Sequence, residues 1–318
     1  MTLLHTSIAL LALAGASPAV AQQYPAKPIR IIVPYPPGGV GDLVGRSMGA
    51  RLGEALNQNV LVDNRPGGDT INGSEILARS PADGYTLLVA SSAHSINPSL
   101  HKKLSFDAAR DFAPVSLLAQ YPYLIVAHPS IPAKSIKELV ALAKANPGKL
   151  TYGTSSSAAQ LAGGLLMHLA GVNMIHVPYK GSGPALIDLV GGHVGLTVTS
   201  PAGPLPFVRN GRLRVLAVTS RARSELLPNV STVIEAGYTD YDVTSWLGML
   251  AQAGVPREVL AKLNAELVRI LKLPEVKEQF SREAIQPAGG PPEEFANFLK
   301  KEATLWAKAV QVTGLKAE

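Results

Sequence analysis

The chain has 318 residues, of which 47% are hydrophobic and 16% charged, with a formal net charge of +6 and no cysteine. The absence of cysteine excludes disulfides, thiolate metal sites, a cysteine nucleophile and a lipid-modified N-terminal cysteine. Lysine and arginine are scattered, without a long basic run or interleaved aromatics. The charge therefore indicates a mild preference for anions and predicts no binding to nucleic acid.

The first 21 residues are an apolar run, MTLLHTSIALLALAGASPAVA, that ends in Ala19-Val20-Ala21. A short hydrophobic region followed by A-x-A predicts a cleavable secretory signal, with cleavage after Ala21 and export of the mature chain. The alternative is a buried N-terminal helix. No later segment reaches 18 uninterrupted apolar residues, so we expect a mature protein that is not embedded in a membrane.

Strand-like and helix-like segments alternate after this run, which predicts an α/β fold with largely parallel sheets. A helix is predicted after the first strand, because Val44, Met48, Leu52 and Leu56 recur every four residues. Ser135 with Glu138 is a capping box, and prolines open two further helices near the C-terminus. The predicted strands are IRIIV, NVLVD, YTLLVA, LIVAH, KLTYGT, MIHVPY, VGLTVT and LRVLAVTS.

Two segments resemble each other, VSLLAQYPYLIVAHP near residue 120 and WLGMLAQAGVP near residue 250. Such a pair suits a chain that leaves one domain and later returns to it, and chance similarity of two apolar strands is the alternative. The length also favours two domains. We expect residues 22–120 and 221–318 to form a discontinuous first lobe and residues 121–220 a second. Binding between the lobes would close them by a hinge motion.

Short polar loops follow the predicted strands at their carboxyl ends, where open parallel sheets bind ligands. These loops offer hydroxyls, backbone N–H groups and helix N-termini, which hold an anion but are poor at moving protons. Lys180 is either a further contact or a surface lysine in a glycine turn. The predicted ligand-binding residues are Tyr35, Pro37, Gly38, Gly39, Gly41, Asp42, Ser92, Thr154, Ser155, Ser156, Ser157, Gln160, Lys180 and Thr199.

The first of these loops, Tyr35 to Asp42, carries glycines at a spacing similar to a dinucleotide-binding turn. Its prolines, however, separate the strand from the glycines and remove N–H donors where a pyrophosphate would need them. We therefore expect a rigid cup for a small anionic group, in which Asp42 caps the following helix or contacts a polar end of the ligand.

The motifs of common enzymes are missing from the sequence. There is no G-x-S-x-G and no G-x-x-x-x-G-K-[ST], and the seven histidines form neither H-x-H nor H-E-x-x-H. We therefore predict no catalytic residue, no metal site and no cofactor. An exported hydrolase that uses one of the loop serines remains the alternative from a different class.

Several longer motifs, taken together and in order, carry a family resemblance. They are VPYPPGGVGD, DNRPGG, PADGYTLL, INPSLHKKLSFDAARDFAPVSLLA, HVPYKGSGPALIDLVGG, GRLRVLAVTSRARSELLPNVSTVIEAG and WLGMLAQAGVP. The chain resembles the Bug family, the TctC-like substrate-binding receptors of tripartite tricarboxylate transporters. The resemblance implies a two-lobed, type II periplasmic binding fold with two crossing hinge strands. It also implies a periplasmic monomer that closes around a small carboxylate and delivers it to the membrane permease of such a transporter.

In that family the first strand–helix loop and a serine- and glycine-rich loop of the second lobe grip a carboxylate. Here these loops correspond to Tyr35–Asp42 and to Thr154–Ser157 with Gln160, which takes the place of the usual histidine. A frequent family motif ends in aspartate, and in this chain Gly195 stands at that position. The loss of this acidic residue disfavours an amino-acid ligand, whose ammonium would need a counter-charge. A receptor that serves a sensor instead of a permease is a further alternative.

Overall fold

The computed structural model describes residues 24–316, so the predicted signal segment lies outside the described residues. The chain begins with β1 (Ile29–Val33), α1 (Val40–Leu56), β2 (Val60–Asn64), α2 (Ile71–Ala78), β3 (Thr86–Ser91), α3 (Ser92–Leu100) and β4 (Phe112–Pro122). It continues with β5 (Leu124–Ala127), α4 (Ile136–Ala145), β6 (Thr151–Thr154), α5 (Ser157–Ala170), β7 (Ile175–Pro178), α6 (Ser182–Val190), β8 (Leu196–Thr199), α7 (Leu205–Arg209) and β9 (Arg214–Val218). It ends with β10 (Thr244–Gln252), α8 (Arg257–Leu271), α9 (Pro274–Ser281), β11 (Gln286–Pro287) and α10 (Pro292–Thr313). The predicted α/β class is confirmed.

The strands form two separate sheets. The first has the order β11-β4-β10-β3-β1-β2, and the second has the order β7-β6-β8-β5-β9. The chain passes from the first sheet to the second between β4 and β5, and it returns between β9 and β10. Of the two segments that resemble each other in sequence, the first spans β4 and β5 and the second begins in β10. β4 and β10 pair with each other, with Trp246 opposite Gln120. The exact lobe boundaries at residues 120 and 220 stay a prediction.

The two connections between the sheets lie side by side. The backbone N–H of Tyr123 donates to Thr219 Oγ1 at 2.8 Å, and the N–H of Thr219 donates to the carbonyl of Tyr123 at 3.0 Å. Thr219 Oγ1 in turn donates to the carbonyl of Val243 at 2.7 Å. These bonds tie together the two chain segments that cross between the sheets.

The prediction of largely parallel sheets is wrong, because both sheets are mixed. β1 is parallel to β2 and β3, and β6 is parallel to β7 and β8. In contrast, β5 and β10 run antiparallel to both of their neighbours. These are the first strands after each crossing between the sheets.

The helices follow the predicted hydrophobic patterns, with small changes at their ends. Val44, Met48 and Leu52 are fully buried on one face of α1. At the start of α4, Ser135 Oγ accepts the N–H of Glu138 at 3.2 Å, while the Glu138 carboxylate accepts the N–H of Lys134 at 2.9 Å. α8 begins one residue after the predicted proline. Within residues 24–316, none of the helices combines the length and the apolar character that a membrane crossing requires.

Candidate ligand-binding cleft

The carboxyl ends of the parallel strands of both sheets face one cleft of about 800 Å³, which is within the range of small-molecule sites. From the first sheet, the loops after β1, β2 and β3 line it, and from the second sheet the loops after β6, β7 and β8 line it. This is where open α/β sheets place ligands. A smaller depression of about 540 Å³ beside α1 contains none of these loops.

Five helices begin at the walls of the cleft. Their N-cap residues, which all line it, are Gly39 of α1, Thr70 of α2, Ser91 of α3, Ser156 of α5 and Gly181 of α6. The first turn of each helix has backbone N–H groups without an intrahelical partner, and the helix dipole places partial positive charge there. The cleft is therefore suited to an anion by its backbone alone.

Asp42 does not line the cleft, but its hydrogen bonds fix the first loop. One carboxylate oxygen accepts the N–H of Gly38 at 3.0 Å, and the other accepts Nδ2 of Asn64 at 2.9 Å and pairs with Arg46 Nε at 3.0 Å. Burial raises the pKa of Asp42, but the hydrogen bonds from Arg46, Asn64 and Gly38 outweigh burial and lower it overall. The expectation that Asp42 caps α1 is wrong, because the N-cap is Gly39, which receives no side-chain cap.

Tyr35 packs directly over the glycines of this loop. A Cβ on Gly41 would lie 2.4 Å from Cδ2 of the Tyr35 ring, so the ring requires a glycine there. The Tyr35 hydroxyl donates to Ser91 Oγ, which itself accepts the N–H of Ala93 at 3.2 Å and caps α3. Burial raises the pKa of Tyr35 well above its usual range. The phenol consequently stays protonated, and it links two of the loops.

The second loop carries hydroxyls that are already oriented. Ser156 Oγ accepts the N–H of Ala159 at 3.3 Å and caps α5. Thr154 Oγ1 lies 2.8 Å from His176 Nε2, and Gln160 Nε2 lies 3.1 Å from His176 Nδ1. His176 therefore links the hydroxyl of Thr154 to the amide of Gln160 and holds both side chains in place.

Eleven of the fourteen predicted residues line the cleft. The three that do not are Gly38, Asp42 and Ser92. Gly38 and Asp42 bind each other at the back of the first loop, and Ser92 is 1% exposed. The eleven lining residues include Lys180 and Thr199, which line the same cleft as the two loops. Their contact with a ligand stays a prediction.

Among the lining residues that sequence reasoning missed are Asp69, His101, Tyr121, Tyr123 and His176. Asp69 could have been found, because the turn PGGD follows the carboxyl end of β2 and the same rule that selected the other loops applies to it. Tyr121 and Tyr123 lie where the chain crosses between the sheets, and no local pattern indicates that a crossing segment faces a ligand. Among the described residues, no group of three or more His, Asp or Glu is placed to hold a metal ion.

Asp69 bridges the two walls of the cleft. Its carboxylate accepts the N–H of Ser157, the first residue of α5, at 3.2 Å. Asp69 and Thr70 have left-handed backbone conformations, with φ of 47° and 77°, and Asn97 Nδ2 holds the carbonyl of Asp69 at 2.8 Å. Burial raises the pKa of Asp69, and the contact with Ser157 and the charge of His101 offset this only in part.

Comparison with known proteins connects this geometry to a family. The family model of the tripartite tricarboxylate transporter family receptor matches residues 44–315. Protein BugT of Bordetella pertussis is 35% identical over 305 residues, which cover 95% of this chain and 94% of BugT. The structure of Rpa4515 of R. palustris with adipate has a TM-score of 0.89 and 31% identity, and the match covers 92% of this chain and 99% of that one. The periplasmic binding protein BugD has a TM-score of 0.87 and 31% identity, with 93% and 100% covered. The predicted two-lobed periplasmic binding fold is confirmed.

Proposed function

The chain belongs to the tripartite tricarboxylate transporter receptor family, and from this premise we propose that it binds a small carboxylate between its two sheets and releases it unchanged. We propose further that it works in the periplasm as a monomer and delivers its ligand to a membrane permease. The relative BugD is a periplasmic binding protein, and Rpa4515 is a relative with adipate, a dicarboxylate. Both support the ligand class and the compartment.

The observation that carries the proposal is the set of helix N-termini on both walls of the cleft. α1 and α3 present theirs from the first sheet, and α5 and α6 from the second. An anion held between them would receive donors from both lobes at once. Such a ligand would stabilise the closed arrangement, which is what a receptor that signals its loaded state requires.

The expected free energy of these contacts is sufficient for carboxylate binding without a metal or a permanent cation. A hydrogen bond to a charged group contributes roughly 1.5–3 kcal/mol, and a helix N-terminus adds up to about 1 kcal/mol. Three or four such contacts, less the cost of association, reach the ~8 kcal/mol of a micromolar complex.

Ser155 offers a direct test, because it lines the cleft and, among the described residues, its hydroxyl has no recorded hydrogen-bond partner. Purified protein is titrated with a panel of mono-, di- and tricarboxylates, and binding is measured by thermal stabilisation and calorimetry. We expect at least one acid to bind, and Ser155→Ala to weaken that binding by roughly tenfold while the unfolding temperature of the free protein stays unchanged. Ser281→Ala, which removes an exposed serine hydroxyl at the end of α9, is the matched control and should bind normally.

The proposal fails if no acid in the panel stabilises the folded protein. It also fails if Ser155→Ala and the control bind alike for every acid that binds. Turnover of an ester by the wild type, lost in a loop-serine variant, would instead support the exported hydrolase. Co-purification with permease subunits or with a sensor protein distinguishes the two kinds of partner.

A further inference from the structure

We propose that Asp69 makes the cleft selective for a carboxylate that also carries a cationic nitrogen, such as an ammonium or quaternary ammonium group. This inference rests on the proposed function, and it names the ligand class more narrowly. Among the described residues, Asp69 is the one acidic residue that lines the cleft.

The first reason is that Asp69 is an enclosed carboxylate whose charge the protein compensates only in part. It is only partly exposed, and its carboxylate accepts the N–H of Ser157. The charge of His101, which lines the same cleft, lowers the pKa of Asp69 by less than burial raises it. Among residues 24–316, no lysine, arginine or histidine forms an ion pair with it. An enclosed carboxylate is costly unless a positive charge compensates it. The cleft is open to solutes, so a cationic group of the ligand can supply that charge.

The second reason is the aromatic surface beside the carboxylate. Tyr35, Tyr121 and Tyr123 line the same cleft, and the rings of Tyr121 and Tyr123 meet edge to face with centroids 6.0 Å apart. Burial raises the pKa of Tyr35 and Tyr123, and the negative charge of Asp69 contributes to both shifts, which places the carboxylate near both phenols. Aromatic faces next to a carboxylate form a typical site for an organic cation.

The third reason is that the cleft keeps a separate place for the carboxylate of the ligand. The first turns of α1 and α6 approach each other across the cleft. A Cβ on Gly39 would lie 3.6 Å from Ser182 Oγ, and a Cβ on Gly181 would lie 3.2 Å from Pro36 Cγ. Both walls therefore bring N–H donors to this region, while Asp69 lies with α2 and α5. A ligand with opposite charges at its two ends satisfies both regions.

The backbone around Asp69 indicates that its position is maintained at a cost. Two consecutive residues other than glycine, Asp69 and Thr70, have positive φ values of 47° and 77°. A left-handed conformation costs roughly 1–2 kcal/mol for such residues, least for Asp and Asn. Strain of this kind persists where surrounding contacts hold it, often at functional sites.

The test compares ligands that differ only at one end. A series of unbranched chains of increasing length is used, each as the ω-amino acid, the monocarboxylate and the dicarboxylate; ε-aminocaproate, caproate and adipate form one such set. For at least one length we expect the wild type to bind the amino member about tenfold or more tighter than the other two. Asp69→Asn should abolish that preference. Asparagine suits the left-handed backbone, so the variant should fold.

Asp242→Asn is the control, because it removes the same charge from a partly exposed residue that pairs with Arg221 outside the cleft. It should keep the preference of the wild type. The inference is overturned if the wild type prefers the dicarboxylate or monocarboxylate at every length, or if Asp69→Asn leaves the preference intact. It is also overturned if Asp69→Asn strengthens all members equally, because Asp69 would then be an internal competitor for the anion site. If no acid binds the wild type, the proposed function itself has failed; if acids bind without preference, only this inference has failed.

Discussion

Glu302 connects the C-terminal helix to β10 of the first sheet, and its replacement should destabilise the protein strongly. One carboxylate oxygen accepts the indole N–H of Trp246 on β10 at 2.7 Å and that of Trp306 on α10 at 2.8 Å. Glu302 is 9% exposed, and Trp246 and Trp306 are 0% and 3% exposed. Water cannot readily replace the carboxylate around the two indoles.

Glu302→Ala leaves two buried N–H groups without an acceptor, at about 1–3 kcal/mol each. We therefore expect the free energy of unfolding to fall by about 2–6 kcal/mol. Glu302→Gln should cost much less, because a single amide oxygen can accept both N–H groups. Urea unfolding, monitored by circular dichroism to avoid the altered tryptophan signal, measures both variants. Lys301→Ala, an exposed neighbour on the same helix, should change the free energy by no more than about 0.5 kcal/mol.

The charge of Glu302 adds a pH dependence with a definite sign. Burial raises the pKa of Glu302 above its ordinary value of 4.5, although the bonds from Trp306 and Trp246 lower it in part. The folded state then binds the proton more tightly than the unfolded state. Its contribution to stability is greatest below pH 4.5 and decreases as the pH rises through the folded pKa. Glu302→Gln should lack this decrease. The reasoning is refuted if Glu302→Ala costs less than about 1 kcal/mol, or if Glu302→Gln keeps the wild-type pH profile.

Two further predictions concern stability. Burial lowers the pKa of His94 to about 4 from 6.5, so the free energy of unfolding should fall by up to about 3 kcal/mol as the pH falls from 6.5 towards 4. His94→Gln should lose this pH dependence. The prediction is contradicted if His94→Gln keeps the same pH dependence as the exposed control His193→Gln. A Cβ on Gly248 would lie 2.1 Å from Cζ of Phe295, so Gly248→Ala should lower the free energy of unfolding by about 1–3 kcal/mol or more. Gly183→Ala, which meets nothing within 4 Å, is its control in the same urea titration, and equal effects of the two substitutions would refute the clash.

The features that could be predicted from the sequence are those that local patterns determine. β1 is the buried run IRIIV, and α1 follows from apolar residues on one face, so both were located closely. The cleft could be predicted because polar turns after parallel strands gather at one edge. Ser155 and Gly39 were found in this way, from turn composition alone.

The remaining features depend on how distant segments meet. The direction of β5 and β10 is set by the crossing between sheets, which no local pattern encodes. Asp42 was expected to cap a helix because it opens the helical segment, yet Asn64, 22 residues away, draws its carboxylate to the back of the loop. The position of Asp69 after β2 follows the local rule for the other loops, but its contact with Ser157, 88 residues away, does not.

The tyrosines of the cleft act as hydrogen-bond donors, and the other anion-binding groups belong to the backbone, so the fold alone does not specify the ligand. Burial raises the pKa of Tyr35, Tyr121 and Tyr123, so all three remain neutral donors near neutral pH and none can accept a proton. The hydroxyl of Tyr35 already donates to Ser91, and that of Tyr123 donates to Ser245 at 3.2 Å. The helix N-termini are backbone groups, and they attract a carboxylate whatever side chains surround them. Selection among carboxylates therefore depends on the few side chains that differ in charge, and within the described cleft Asp69 is the residue that departs most from an anion-binding surface.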